Sequence, residues 1–390
     1  MVVILGVSET GLGAMRSLGK RGFSCWGVDA RFDHPGFSSR YCQRRVCVSG
    51  DVSAPELAAV LAEIASLAPT RPVLLPTSDR FVRLVNGLRD ELSASFDLAI
   101  PPREIVEDLL DKERFAALAE RAGLRVPRTA ALLANGSLAE AIDRVGLPAV
   151  VKPRASDRRP VGLPKAVVLE SPEEARRFVQ RHGSLSATGL SVQEYVPGGD
   201  PCHLSVAAAL DAGSRPVAIF VAQKRRQGNH GAGVGTFVQS HPDAEAAEVA
   251  RRFLQRIGYV GVAEVELKRH GVTGEIFAIE VNPRLWSQAM LPAALGIDFA
   301  LLAYRIARGS VLTGEMSAPE RAVSWQDLWG DSYWTFRPNG YFWRGDVSAS
   351  TWIAQTLTSR ARPFFEWRDP VPALVHLWQE AAGAAVKVSR

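Results

Sequence analysis

Two stretches near the middle of the chain concentrate acidic side chains inside apolar runs. The first reads Gly261-Val-Ala-Glu264-Val-Glu266-Leu-Lys268 and the second Phe277-Ala-Ile-Glu280-Val-Asn282-Pro-Arg284, with the turn residues Gly271 to Gly274 between them. If both are neighbouring antiparallel strands, period-two alternation puts Glu264, Glu266 and Lys268 on one face. Glu280 and Asn282 likewise share a face. Two carboxylates and a carboxamide converging at strand ends offer hard oxygen ligands, which suits Mg²⁺ bridging the phosphates of ATP. Glu264 and Glu266 remain register alternatives for the first ligand. A plain solvated hairpin is the competing reading, but an unpaired carboxylate within Phe277-Ala-Ile and Val281 would be costly.

These strands need a frame to hold them. Over the first hundred residues short apolar runs (Val2 to Leu5, Cys25 to Val28, Val73 to Leu75) alternate with amphipathic stretches (Gly11 to Lys20, Ala54 to Ser66), a parallel α/β pattern. An amphipathic helix over Asp111 to Ala122 ends at Gly123. The strand Ala149 to Pro153 opens a second α/β region, in which Ser171-Pro-Glu-Glu has the form of a helix N-cap. Further strands are expected at Leu190 to Tyr195, Leu204 to Ala209, Val217 to Gln223, Gly261 to Lys268 and Glu275 to Val281, with helices at Ala244 to Ile257 and Phe299 to Ala307. Beyond residue 320 lie seven of the nine tryptophans, so a separate aromatic subdomain is expected there, its rings chiefly packing.

The pairing of a strand glutamate with a later Glu-x-Asn-Pro-Arg resembles the ATP-grasp superfamily. The resemblance implies an α/β and α+β architecture. It consists of a Rossmann-like pre-ATP-grasp domain (1–105), a small lid part with linker helix (106–195), a large part with the metal strands (196–315) and the accessory subdomain (316–390). It also implies roles. Glu266, Glu280 and Asn282 would ligate the metal, and Arg284 would face the transferring phosphate. Lys152 and Lys112 would contact the α- and β-phosphates. Gln193-Glu194-Tyr195-Val196 resembles the hinge that reads adenine, through Glu194 and the backbone of Val196, with Asp200 or His203 near the ribose. Many relatives cover the phosphates with a glycine-rich loop, but only one glycine stands in Pro153 to Ala166. There a Ser156-Asp157 turn and Lys165 resemble the variant in D-aspartate ligases. The stretch Lys224 to Gly235 is read as a flexible basic loop closing over the γ-phosphate and the acceptor carboxylate, with Lys224 and Arg226 catalytic. The implied activity is ATP- and Mg²⁺-dependent (or Mn²⁺-dependent) amide formation between a small-molecule carboxylate and an amine through an acyl phosphate, in a homodimer as in many relatives.

Composition sets the remaining bounds. A net charge of +5 from 46 basic and 41 acidic residues, with the basic ones dispersed, argues against nucleic acid as a partner. Cys25, Cys42, Cys47 and Cys202 show neither a CxxC pair nor metal-ligand spacing, as expected of reduced cytosolic thiols. No apolar run reaches membrane-spanning length, and a cytoplasmic location is the expectation. Gly6, Gly11, Gly13 and Asp29 sketch a dinucleotide fingerprint with the wrong spacing, which keeps an NAD-binding dehydrogenase or regulatory protein as the rival reading. Within ATP-grasp, a biotin-carboxylase-like bicarbonate activator ranks below amide formation.

Overall fold

A computed structural model describes the chain apart from residues 99, 132–136, 156, 158–162, 164, 183–188, 229–232, 320 and 389–390. The first sheet is parallel, with strands β1 (Val2–Leu5), β2 (Cys25–Asp29), β3 (Cys42–Cys47), β4 (Val73–Pro76) and β5 (Asp97–Leu98) in the order β3-β2-β1-β4-β5. Val2 to Leu5 are wholly buried, as expected of a central parallel strand covered on both faces. Helices Ala54–Leu67 and Asp79–Gly87 begin at Ser53 and Ser78, whose hydroxyls accept from the backbone N–H of Glu56 and Phe81. The residues that sketched a dinucleotide site are engaged in packing. A Cβ on Gly11 would lie 1.9 Å from the Gly6 carbonyl oxygen, and one on Gly13 would meet Met290 at 3.1 Å. Asp29 accepts from the N–H of Val7 at 2.6 Å and of Ala30 at 2.7 Å.

The second sheet holds β6 (Thr129–Ala131), β7 (Ala149–Pro153), β8 (Val167–Leu169) and β9 (Leu190–Glu194) in the order β6-β9-β7-β8. Helices Leu138–Val145 and Pro172–His182 bury their apolar faces with it, and Ser171 caps the latter by accepting from Glu174 N–H. The third sheet is antiparallel and six-stranded: β10 (His203–Leu210), β11 (Pro216–Gln227), β12 (Gly235–Ser240), β13 (Gly261–Arg269), β14 (Ile276–Asn282) and β15 (Ser324–Gln326), ordered β14-β13-β10-β11-β12-β15. Alternate residues of β10 feed two cores. Leu204, Val206 and Ala208 pack with helix Ala244–Arg256, whereas Ala207 and Ala209 join a core shared with the first sheet and helix Phe299–Ala307.

Strands β3, β5, β6, β8, β12 and β15 were not anticipated. β3 carries exposed Arg44 and Arg45 at a sheet edge, where alternation of apolar residues is not required. The expected flexible loop is corrected at its start: β11 runs on to Gln227, so Lys224 and Arg226 are buried strand residues, while residues 229–232 of that stretch lie outside the described residues. The aromatic C-terminal segment supplies β15, the edge strand beside β12, and buries Trp325 in the core shared by the first and third sheets. Its far end is tied to the first helix, where buried Arg16 donates to Asp369 at 2.9 Å and to the carbonyls of Pro363 and Phe364. Among the described residues no helix is long and apolar enough to cross a membrane.

Candidate active site

The register of the third sheet brings the acidic residues together. Glu266 is the partner of Glu280 across β13 and β14, and Glu264 the partner of Asn282. On the other side of β13, Ser205 stands opposite Glu266 and His203 opposite Lys268. Facing them across a cavity of about 440 Å³ are Lys152 from β7, Gln193 from β9, Lys112 at the start of helix Lys112–Arg121, and Lys165. The volume is in the range of small-molecule and cofactor sites.

Contacts within the site are charge-paired. Lys224 Nζ lies 2.6 Å from Glu266 Oε2, and Lys112 Nζ 3.4 Å from Glu280 Oε2. Lys152 donates to Gln193 Oε1 at 2.6 Å, and Gln193 Nε2 in turn donates to Thr129 Oγ1 at 3.1 Å. Lys268 rests with its ammonium 4.3 Å from the centre of the Tyr195 ring, a cation–π contact. Burial would raise the Glu280 carboxyl, but Lys112, Lys165, Lys152 and Lys224 together hold it well below the ordinary carboxylate range. Lys152 moves the other way: burial, and then Lys112, push it down to about 7. Burial also pushes Lys268 down to about 8. For Lys224, burial is outweighed by Glu266 and Glu264, and its ammonium is held above its ordinary value. The site thus gathers Lys112, Lys152, Lys165 and Lys224 around Glu266 and Glu280, and among these lysines Lys152 gives up its proton readily. Such a cavity is suited to a polyanion with a divalent cation.

Several sequence expectations need correction. Glu264, left open as a metal ligand, lies behind the cavity, where it accepts from Ser205 Oγ at 2.5 Å and Asn282 Nδ2 at 3.0 Å. Burial, and then Glu266, push its carboxyl up. Glu266 and Glu280 line the cavity itself. Asn282 turns its amide oxygen to Arg284, which donates at 3.1 Å. Arg284, expected to face the phosphate, is held by Asp79 at 2.6 Å and does not line the cavity. Arg226, expected to be catalytic, points to the opposite face. A bulge separates Lys224 from Arg226, so Arg226 pairs across the sheet with Phe237 and forks onto Asp331 with both nitrogens at 2.8 Å. Asp200, a ribose candidate, is taken by Tyr341 and by Gln227 Nε2, and lines a different cavity. His203, its alternative, does line the site. The Glu194 carboxylate, expected at the adenine edge, lies on exposed Arg128 at 3.1 Å, although Glu194, Tyr195 and Val196 all border the cavity. Ser156 lies outside the described residues; Asp157 is described, and is clasped by Arg83 at 3.0 and 3.1 Å from helix Asp79–Gly87.

Lys268, which period-two spacing put on one face with Glu264 and Glu266 but which received no role from the sequence, also lines the cavity.

Comparison with known proteins agrees with this arrangement. Residues 237–315, which include both acidic strands, match the family model for the carbamoyl-phosphate synthase L chain, ATP binding domain. The chain is 24% identical over 239 residues to D-aspartate ligase of Enterococcus faecium, a match covering 58% of this chain and 56% of that protein. It is 27% identical over 217 residues to D-alanine–D-alanine ligase B of Xanthomonas campestris, covering 50% and 64%. These matches thus span about half to two thirds of each protein. Among solved structures, Campylobacter jejuni biotin carboxylase in complex with βγ-ATP superposes with a TM-score of 0.64 at 17% identity, covering 83% of this chain and 74% of that one. N5-carboxyaminoimidazole ribonucleotide synthetase of Thermus thermophilus gives 0.63 at 20% identity, covering 83% and 82%. The resemblance read from the acidic strands is therefore borne out: the chain has the ATP-grasp fold and is related in sequence to the carboxylate–amine ligases of that superfamily.

Proposed function

We propose that the protein is an ADP-forming ligase that joins a small-molecule carboxylate, such as an amino acid, to an amine. The observation that carries this reading is the pairing of Glu266 with Glu280 in one cavity with Lys112, Lys152 and Lys165. Bound Mg-ATP would supply the phosphoryl group that turns a poor electrophile, the carboxylate, into an acyl phosphate with a good leaving group. The donor set fits such an ion: the described residues hold no group of three or more His, Cys, Asp or Glu able to ligate a metal alone, so Glu266 and Glu280 would share it with phosphate oxygens.

The chain's own residues then have separable tasks. Lys152 and Lys112 neutralise phosphate oxygens, and Lys152 takes up a proton as it does so. Lys224 holds Glu266 in place, while Gln193 fixes Lys152. Tyr195 and Val196 border the purine end, and His203 with Lys268 the ribose end. Arg284 acts as a positioning residue that locks Asn282 to Asp79 at the start of helix Asp79–Gly87. In this reading residues 1–105 are a Rossmann-like substrate domain, 106–195 and 196–315 the two halves that close on the nucleotide, and 316–390 an accessory subdomain. No protein nucleophile is required, because holding two reactants in line supplies on the order of 7–11 kcal/mol of the barrier reduction.

The test is an ADP-release screen of carboxylates and amines offered in pairs, followed by mass measurement of any product. ADP release that requires both partners, with a product lighter by one water than their sum, is expected. ADP release that never depends on an amine would overturn the assignment.

A further inference from the structure

Beyond the nucleotide cavity lies a larger one of about 940 Å³, and the two meet at Lys165 and Gly233. The C-terminal segment supplies much of its lining, including Trp325, Trp334, Phe364 and His376. Phe364 and His376 stack with ring centres 3.8 Å apart and an 18° tilt, which makes a flat wall. Two polar atoms of this lining are left over. The indole N–H of Trp325, a residue only 2% exposed, and Nε2 of His376 are buried without a hydrogen-bond partner among the described residues. Buried polar groups are nearly always satisfied in native proteins, so two orphans in one cavity point to a missing ligand.

The charges of the cavity are one-sided. Glu9, at the start of the first helix, accepts from Ser287 Oγ at 3.2 Å, and Asp327 follows β15. The two carboxylates are close enough to repel each other, and burial with that repulsion pushes Asp327 up to about 6. Burial pushes the His376 imidazole down, which keeps it neutral at pH 7. Among the described lining residues Lys165 is the one lysine or arginine, and it stands at the junction with the nucleotide cavity.

We infer that this chamber seats the amine co-substrate, a molecule that joins an ammonium group to a flat apolar ring and carries a hydrogen-bond acceptor. The inference rests on the ligase reading and deepens it. The ammonium lies between Glu9 and Asp327, the ring lies against Trp334 and the Phe364–His376 stack, and the acceptor takes the Trp325 N–H. Aromatic faces also favour a cation lying over them, so the walls and the acids select the same class. The C-terminal segment, the least recognisable part of the sequence, thereby acts as the specificity element.

Calorimetric titration of the whole 390-residue chain tests this, with phenylalaninol and phenylalanine as probes. The first is an aryl amine whose acceptor is a hydroxyl and the second an amino acid whose acceptor is a carboxylate, so the pair also separates those two sources of the same chemistry. Controls are 3-phenylpropanoate, which has the ring without the ammonium, and ethanolamine, which has the ammonium without the ring. At least one probe is expected to bind saturably and about tenfold or more tighter than both controls, and Asp327→Asn and Glu9→Gln each to weaken it by about tenfold or more. Trp334→Ala, which leaves both acids in place, is expected to weaken it too. Failure of both probes to bind, 3-phenylpropanoate binding as tightly as the amines, or variants that bind like the wild type would overturn the inference. Mg-ATP titrated separately into the same proteins reports on the nucleotide site alone, so either reading can fail while the other stands.

Discussion

Glu280 is the residue whose removal separates structural from chemical roles most sharply. In Glu280→Gln the side chain keeps its shape but the ion pair with Lys112, 3.4 Å away and 11% exposed, is lost. Removing one member of a buried pair typically costs about 3–5 kcal/mol. The lower end, about 3 kcal/mol, applies, because Lys152, pushed down to about 7, readily sheds its proton to relieve the excess positive charge. Metal-free ATP, by contrast, should bind more tightly to the variant. One unit of repulsion removed at ~6 Å and an effective dielectric of ~20 amounts to about 3 kcal/mol before screening. At least a tenfold gain in affinity, about 1.4 kcal/mol, is therefore expected. Mg²⁺-dependent ADP release should fall on the order of a hundredfold or more, since the ion loses one of two carboxylates aimed at it. Titrations of ATP with and without Mg²⁺, alongside coupled ADP release and thermal unfolding, measure all three. A variant that keeps its Mg²⁺ requirement and turns over within tenfold of wild type would refute the assignment of Glu280.

Three further outcomes follow from the same geometry. Arg226→Met should lower stability by about 3 kcal/mol by removing the cation paired with buried Asp331, which is left with the neutral donors of Thr236, Gln326 and Trp352, yet leave nucleotide affinity intact; activity lost without destabilisation would contradict the structural role. The unfolded chain keeps the Lys152 proton up to its ordinary 10.5 and the native protein only up to about 7, so between those values the unfolded state binds more protons and stability rises with pH. Nucleotide phosphates restore the proton, so Mg-ATP binding at pH 8 should be accompanied by proton uptake, seen as different calorimetric heats in Tris and HEPES; equal heats would speak against contact with Lys152. Glu194→Ala should leave nucleotide affinity unchanged, because its carboxylate sits on Arg128 at the surface, and a loss of tenfold or more would show that it turns inward.

The legible part of the site is the part that local periodicity controls. Glu266, Glu280 and Lys268 sit within β-strands whose alternation is two residues whatever their neighbours, so their common face could be read from spacing alone. Lys152 and Gln193 end or nearly end apolar strands, and such strands declare themselves by composition. The expectations that failed concern side chains whose partners lie far away in sequence. Arg284 meets Asp79 across 205 residues, and Arg226 meets Asp331 across 105. Asp200 is claimed by Tyr341 across 141.

The sequence alone thus determined the two acidic strands, the lysines that could serve a polyphosphate and the parallel α/β opening of the chain, because each depends on residue type and short-range period. Tertiary structure alone decided which carboxylate faces the cavity and which lies behind it. It alone revealed that one bulge between Lys224 and Arg226 sends two neighbouring cations to opposite faces, and that the C-terminal tryptophans close a second chamber. The physical reason is that charge–charge pairing and strand register are set by whichever partner the fold brings within about 4 Å, and no local pattern encodes that choice.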